Sequence, residues 1–130
     1  MDRQQYVHPI EAIGQVLALE ELLAMQEQVR QVYVDRAVKE YIVDIVEATR
    51  SHSDVFLGAS PRGSLALFRT GQAWAALEGR DYVTPDDIKA LTGPTLAHRL
   101  IVSPAARIRN LDPRAIVGEV LESVAVGATA

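Results

Sequence analysis

Residues 58–63, Gly-Ala-Ser-Pro-Arg-Gly, place an arginine where it could bind phosphate. Ser60 followed by Pro61 is typical of a helix start, because a serine hydroxyl accepts from free first-turn amides and proline needs no amide partner there. Arg62 then lies in the first helical turn, where the helix dipole favours a negative group. One hypothesis is that a bound phosphate compensates the guanidinium, since the free amides and the arginine could both donate to it.

The same segment also has a simpler interpretation that requires no ligand. Two glycines flanking a helix start are typical of a turn, and an exposed arginine or a surface ion pair costs little free energy. From the residues alone, this simpler interpretation is favoured. A nucleophile role for Ser60 is not expected, because no histidine or lysine adjoins it in sequence to act as a base.

A second candidate for phosphate or partner binding is His98 beside Arg99. A buried, hydrogen-bonded histidine next to a structural or solvent-exposed arginine is the favoured alternative. Asp86 and Asp87 are also adjacent, and neighbouring helical residues point in different directions. We therefore expect these carboxylates to cap a helix rather than to act as a catalytic acid and base.

Composition argues against several classes of function. The chain has no cysteine, and His8, His52 and His98 are far apart, so no metal site is predicted. Seventeen acidic residues against thirteen basic ones give a net charge of −4, which argues against nucleic-acid binding. No apolar run approaches the roughly 18 residues of a membrane span, and no signal peptide is recognised. We therefore expect a cytoplasmic protein without a membrane or nucleic-acid partner.

The elements that would position the candidate residues are mostly helices. The clearest follows Asp35, a candidate N-cap, and runs to about Arg50. Apolar residues recur along it at spacings of three and four, which predicts one buried stripe. The stripe consists of Val38, Tyr41, Ile42, Ile45, Val46 and Thr49.

Four further helices are predicted from caps, stop signals and apolar spacing. They are expected over Leu19–Val29, from Ser60 to Leu77, from Pro85 to about Leu91, and from Asp112 to about Val124. The helix that follows Ser60 is apolar on most sides, so Trp74 is expected in the core, while Gly63 and Gly71 should let neighbouring elements approach. Pro94 should break or kink the next helix before a further turn through Leu100.

The predicted fold is an all-α bundle of about five helices with room for one short strand pair. Val32–Val34 is a short β-favouring run between the first two helices. Residues 9–126 are expected to form one domain. Residues 1–8 are interpreted as a linker and residues 127–130 as a loose tail.

The run Gly58-Ala59-Ser60-Pro61-Arg62 resembles the sensor 2 motif of MoxR-type AAA+ ATPases. Three other segments resemble this family in the same order and spacing. They are Tyr41–Arg50 before the motif, and Gly79–Ile88 and Leu96–Leu100 after it. The resemblance extends from about Leu19 to Val124 and implies the small helical lid domain of such an ATPase. Two departures are the absence of a Ser or Thr cap at Ala18 and the loose match of residues 101–110, so no function is assigned to Arg107 or Arg109.

The resemblance implies a role for Arg62, because the sensor 2 arginine of this family reaches the ATP phosphates and couples nucleotide state to the angle between lid and core. Arg62, positioned by Ser60 and Pro61, would then contribute to ATP binding, and a separate core domain would hold the nucleotide and its magnesium. His98 and Arg99, in the last matching segment, are secondary candidates. Whether Arg62 serves its own subunit or a neighbour stays open.

The resemblance also implies an assembly. It predicts a homo-oligomeric ring, expected to be a hexamer, with chaperone-like activity and a partner that carries a von Willebrand factor A domain. The chain contains no Gly-x-x-x-x-Gly-Lys-Ser/Thr loop to hold nucleotide phosphates. This segment alone is therefore not expected to hydrolyse ATP.

The alternative is an independent helical interaction module similar to a histone fold. Thr84-Pro85-Asp86-Asp87-Ile88, opening a helix, also suits such folds. This module would require no nucleotide, and the acidic net charge argues against its DNA-binding version. A small hydrolase is not expected, because the sequence shows no clustered base and nucleophile.

Overall fold

The computed structural model of the protein describes residues 9–127, which form a mostly helical bundle. The helices are α1 (Leu19–Arg30), α2 (Arg36–Ser51), α3 (Pro61–Leu77), α4 (Pro85–Leu96), α5 (Pro104–Ile108) and α6 (Pro113–Ser123). There are also two short strands, β1 (Val55–Leu57) and β2 (Ile101–Val102), and 3₁₀ turns at Pro9–Ala12 and Ala97–Arg99. The predicted all-α bundle with a short strand pair is confirmed, with six helices in this part of the chain rather than about five. The predicted linker, residues 1–8, and residues 128–130 of the predicted tail lie outside the described residues.

Helix α2 supplies much of the core, and its buried face is the one that the apolar spacing predicts. Asp35 begins the helix, and its carboxylate accepts a hydrogen bond from the N–H of Ala37 at 2.8 Å. All six residues of the predicted stripe are buried, with Ile45 and Thr49 fully so. Burial of each large apolar side chain is worth about 1.5–3 kcal/mol. Helix α2 is therefore firmly fixed against α3 and α6, which it contacts.

Helix α3 packs against α2 and α4 through a narrow face. Four of its buried residues are spaced four apart and so share one side of the helix: Gly63, Leu67, Gly71 and Ala75. A β-carbon on Gly63 would lie 3.0 Å from Cδ2 of Leu96, and one on Gly71 would lie 2.9 Å from Cδ1 of Ile88. The predicted close approach of neighbouring elements at both glycines is confirmed.

Trp74 is 40% exposed, so the prediction that it lies in the core is wrong. It comes one position before the buried Ala75, and successive helical residues differ by about 100° in direction. Gln72 is buried instead, and its side-chain amide donates to the carbonyls of Val32 at 2.8 Å and Arg30 at 3.2 Å. A polar side chain thus holds the end of α1 against α3.

Helix α1 coincides with the predicted first helix but buries none of its residues. Its N-cap position is Ala18, which has no capping hydroxyl, and the carboxylate of Glu21 accepts from the N–H of Ala18 at 2.8 Å. One half of a capping box is therefore present, which answers the departure noted at Ala18. Among the described residues, no helix is long and apolar enough to cross a membrane.

Helix α4 begins with the predicted capping box. The hydroxyl of Thr84 accepts from the N–H of Asp87 at 3.3 Å, and the carboxylate of Asp87 accepts from the N–H of Thr84 at 2.8 Å. Arg80, in the loop after α3, donates two further hydrogen bonds to this carboxylate. Asp87 therefore caps α4, as predicted, and also attaches the preceding loop to it. Asp86 makes no capping hydrogen bond among the described residues, and its carboxylate instead lies 3.5 Å from Nζ of Lys89.

Helix α4 continues through Pro94 to Leu96, so the predicted helix end near Leu91 is wrong. Pro94 has no N–H to donate to Ala90, but residues on both sides of it are fixed by packing. Thr92 and Leu96 are fully buried, and α4 contacts both α3 and α6. Tertiary burial thus maintains the helical path, and the expected further turn is the 3₁₀ turn at Ala97–Arg99.

Helix α6 places apolar residues at spacings of three and four on one side, which faces the core. Asp112 begins the helix, and its carboxylate accepts from the N–H of Arg114 at 2.8 Å. Three stripe residues are buried and two are partly buried against the core: Ile116, Val117, Val120, Leu121 and Val124. The last predicted helix is therefore confirmed.

Strands β1 and β2 and helix α5 form a corner that the sequence patterns did not predict. The strands pair in antiparallel fashion, with Val55 opposite Val102, whereas the β-favouring run at Val32–Val34 forms only an isolated bridge from Tyr33 to Tyr82. Several apolar side chains of the corner are exposed, most of all Phe56 at 75% and Ile108 at 83%. We call this region the apolar corner; its shallow groove is lined by Phe56, Ile101, Val102, Pro104, Arg107 and Ile108.

Candidate functional site

The first turn of α3 presents Arg62 to solvent. Within residues 9–127, its guanidinium forms no hydrogen bond or ion pair. By contrast, Arg36, Arg80 and Arg109 each bind a carboxylate of the chain. Of the two ligand-free interpretations, the exposed arginine is therefore observed and the surface ion pair is not. The charge of Arg62 is available to an external anion.

Ser60 precedes α3 with an extended backbone, at φ −82° and ψ 170°, and Pro61 occupies the first helical position. The predicted cap by the Ser60 hydroxyl is wrong, because that hydroxyl makes no capping hydrogen bond. The backbone closes the turn instead, with the N–H of Gly63 donating to the carbonyl of Ser60 at 2.7 Å. The exposed hydroxyl of Ser60 is therefore not engaged in holding the helix start.

The residue before Ser60 is held from both sides by the end of α2. Ala59 is buried, and its N–H donates to the hydroxyl of Thr49 at 3.0 Å. Its carbonyl accepts from Nε of Arg50 at 2.8 Å. Two consecutive side chains of α2 thus bind the two polar groups of one residue, and we call this arrangement the Ala59 clasp.

Steric contacts fix the same segment. A β-carbon on Gly58 would lie 2.7 Å from the N, Cα and Cγ atoms of Arg50, so this residue lies directly on the last turn of α2. A β-carbon on Gly63 would lie 3.3 Å from Cβ of Ala59 as well as 3.0 Å from Leu96. The chain between these glycines therefore packs tightly between α2 and α4.

His98 and Arg99 lie on the 3₁₀ turn after α4, and both are exposed. The expectation of a buried histidine is therefore wrong, because the turn buries Ala97 instead. Nε of Arg99 donates to the carbonyl of Thr95 at 3.1 Å. Since Leu96 packs on Gly63, this turn follows α4 at the end of α3 that carries Arg62, but among the described residues no hydrogen bond or ion pair joins it to Arg62.

Sequence patterns missed the part played by Thr49 and Arg50. The apolar spacing places Thr49 in the buried stripe of α2 and Arg50 at the helix end, and such spacing gives no information on a contact with a residue nine or ten positions later. The available signal was the buried hydroxyl itself, because a buried polar group requires a hydrogen-bond partner.

Within residues 9–127, no group of three His, Cys, Asp or Glu side chains could hold a metal ion.

Comparison with known proteins places this arrangement in a family. Residues 47–120, more than half of the chain, match the AAA lid domain family. The chain is 46% identical over 123 residues to the uncharacterised protein YeaC of Bacillus subtilis, covering 95% of this chain and 38% of YeaC. It is 34% identical over 121 residues to chaperone MoxR1 of Mycobacterium tuberculosis, covering 86% of this chain and 32% of MoxR1.

A solved structure supports the same assignment. A candidate ATPase from Cytophaga hutchinsonii is 25% identical and has a TM-score of 0.85, over 96% of this chain and 40% of that protein. The chain thus spans about a third of the length of the curated relatives YeaC and MoxR1. The matched range contains the Gly58–Arg62 motif together with α3 and α4. The chain therefore belongs to the AAA lid domain family and is a lid of the MoxR type.

Proposed function

We propose that Arg62 is the sensor 2 arginine of this MoxR-type lid, and that it contacts the phosphates of ATP bound to a separate AAA+ core domain. Ser60 and Pro61 place it at the start of α3. In this proposal residues 9–126 form the lid, and its orientation relative to the core depends on whether Arg62 has a phosphate to bind. His98 and Arg99 are secondary candidates for the same contact.

One observation carries the proposal: an exposed arginine without a partner among the described residues stands on a tightly fixed helix start. An arginine in the first turn opposes the helix dipole, and no carboxylate of residues 9–127 compensates it. A phosphate group would compensate the charge through paired hydrogen bonds from the guanidinium. Because the Ala59 clasp already fixes the start of α3, little backbone conformational entropy would be lost when Arg62 binds a phosphate.

The described residues fit a partial phosphate site and not a complete one. Arg62 offers a guanidinium, and the adjacent Ser60 offers a hydroxyl that is not used as a cap. ATP supplies the phosphoryl group, and an arginine contact stabilises the charge that develops during its transfer. The sequence lacks a phosphate-binding loop, so we assign the triphosphate and its magnesium to the core domain.

We further propose that the lid turns as one body when Arg62 gains or loses its contact. The close approach of α3 to α4 at Gly63 and Gly71 supports this idea, because the two helices cannot slide past each other without a steric clash. In the whole protein the lid would then act within a homo-oligomeric ring, expected to be a hexamer, in the cytoplasm. The similarity to chaperone MoxR1 supports a chaperone-like role, and a partner with a von Willebrand factor A domain is part of the same proposal.

The proposal is tested by replacing Arg62 in the protein that joins this lid to its ATPase core. We expect R62A to lower kcat/KM for ATP by at least about tenfold, which corresponds to about 1.4 kcal/mol of transition-state stabilisation. The melting temperature should not change, because the side chain is exposed and unpaired among the described residues.

The matched control is R69A. Arg69 is an exposed arginine of the same helix, and it also has no hydrogen bond or ion pair within residues 9–127. Steady-state ATPase assays of both variants separate a role of this one position from a general effect of charge. Wild-type kinetics in R62A, or an equal loss in R69A, would contradict the proposal.

The alternative of a histone-like interaction module receives no support from the fold. The chain matches the AAA lid family over residues 47–120, from the last turn of α2 into α6. The Thr84–Ile88 segment that suggested this alternative forms the capping box of α4 within that family match. We therefore retain the lid function alone.

A further inference from the structure

We propose that Thr49 and Arg50 are positioning residues for Arg62. By binding Ala59 from both sides, they determine where α3 begins and hence the direction in which its first-turn arginine points. This inference rests on the proposed role of Arg62. It assigns a function to two residues at the end of α2, which lie outside the sensor 2 motif.

Thr49 can hold Ala59 in only one way. Its side chain is fully buried, and its hydroxyl donates to the carbonyl of Val46 at 2.6 Å. The same oxygen accepts from the N–H of Ala59 at 3.0 Å. Both hydrogen-bonding directions of the hydroxyl are therefore occupied, and rotation to another rotamer would leave buried polar groups without partners.

Arg50 holds the other side of the same residue. Its Nε donates to the carbonyl of Ala59 at 2.8 Å, and its backbone and Cγ lie against Gly58. A guanidinium presents its donors in a fixed plane, so this contact sets an orientation as well as a distance. The N–H and the carbonyl of Ala59 are thus fixed independently by neighbouring side chains.

Few freely rotating backbone torsions lie between Ala59 and Arg62. Pro61 has its φ angle set by its ring, and the hydrogen bond from Gly63 to the carbonyl of Ser60 closes the turn at 2.7 Å. A displacement of Ala59 is therefore passed on to the first turn of α3 rather than absorbed between them. In enzymes, a misplacement of about 1 Å can cost about a hundredfold in rate.

The test is a double-mutant cycle in the protein that joins this lid to its ATPase core. We expect T49V, which keeps the shape of the side chain and removes the hydroxyl, to lower kcat by about tenfold. T49S, which retains the hydroxyl, should keep most of the activity. T49V in an R62A background should cause no further loss, because the two changes act through the same contact.

A matched control and a second variant keep the experiment informative. Thr70 lies on α3, and within residues 9–127 its hydroxyl binds only carbonyls of its own helix, so T70V should leave kcat unchanged. If T49V does not fold, R50M removes the Nε donor at an exposed residue and should give the same pattern. Arg36, also exposed on α2, provides the control R36M.

The outcomes separate this inference from the proposed function. If R62A has wild-type kinetics, the sensor role of Arg62 is wrong. If R62A is impaired but T49V and R50M are both active, or if their losses persist in full in the R62A background, then Arg62 is correctly assigned and the positioning role is wrong. Loss of kcat in the single variants, together with no further loss in the double variants, supports both.

Discussion

Arg80 and Asp87 form a two-pronged ion pair, with Nη1 2.8 Å from Oδ2 and Nη2 2.7 Å from Oδ1. The Asp87 carboxylate also accepts from the N–H of Thr84. Burial of this carboxylate opposes its ionised form, but the hydrogen bonds from Arg80 and Thr84 outweigh burial and hold the pKa of Asp87 below its usual value of 3.8. The loop after α3 is thus joined to α4 through one charged group.

The Arg80–Asp87 ion pair predicts that the fold loses stability at low pH. Because the pKa of Asp87 is lowered in the folded state, its contribution to stability is present above the unfolded pKa and is lost as pH falls through the folded value. Melting temperatures measured from about pH 6 down to about pH 2 should therefore depend less on pH in D87N than in the wild type. D86N is the control, because Asp86 is exposed on the same turn. An equal pH dependence in D87N and wild type would contradict the assignment.

A second prediction concerns the contact between α3 and α4. G71A should destabilise the fold by about 1–2 kcal/mol, because the added methyl group would meet the buried Ile88. G118A is the control: Gly118 lies within α6, and apart from the backbone of α6 no atom of the described residues lies within 4 Å of a β-carbon placed there, so alanine should stabilise by about 0.5–1 kcal/mol. Denaturant unfolding of the two variants measures both changes in the free energy of unfolding, which should have opposite signs. Stabilisation by G71A would show that the helices tolerate a wider separation.

Three helices begin with Ser or Thr before Pro, and two of these starts, at Ser60 and Thr84, predict different losses of stability when the hydroxyl is removed. T84A should lose about 1 kcal/mol of stability, because the Thr84 hydroxyl accepts from a first-turn amide. S60A should change stability by less than about 0.5 kcal/mol, since the Ser60 hydroxyl makes no such bond. Thermal or denaturant unfolding distinguishes them. A cost for S60A as large as that for T84A would indicate a cap that the structure does not contain.

The fourth prediction concerns the hydroxyl of Tyr41. Its hydroxyl is buried without a hydrogen-bond partner among the described residues, and burial, followed by the charge of Asp86, raises its pKa. Y41F should therefore stabilise the fold by about 1 kcal/mol, because an unsatisfied buried hydroxyl is removed. Y33F is the comparison, since the Tyr33 hydroxyl is bound to Asp35 at 3.2 Å and its loss should bring no gain. Destabilisation in Y41F would indicate that the hydroxyl has a partner.

Patterns that are local in sequence predicted much of this fold. The spacing along α2 identified all six of its buried residues, and the caps Asp35, Thr84 and Asp112 begin the helices that they predicted. These signals succeed because capping and amphipathic spacing act within a few residues. The resemblance to the sensor 2 motif led to the family that the comparisons show.

Features that depend on distant contacts were not predictable in the same way. Trp74 lies on a helix that is apolar on most sides, so the positions of its neighbours α1, α2 and α4 determine which side is buried. Pro94 is accommodated because Thr92 and Leu96 are fully buried on a helix that packs against α3 and α6. The β1–β2 pair joins segments more than forty residues apart, and the Ala59 clasp depends on a loop returning to α2.

The apolar corner affects the choice of probe for all of these unfolding experiments. With Phe56 and Ile108 mostly exposed in the native fold, a fluorescent dye that reports apolar surface would already have a place to bind before any heating. Its fluorescence would then be high before unfolding, and the change in fluorescence during unfolding would be small. Far-ultraviolet circular dichroism reports the helices directly and is independent of that surface.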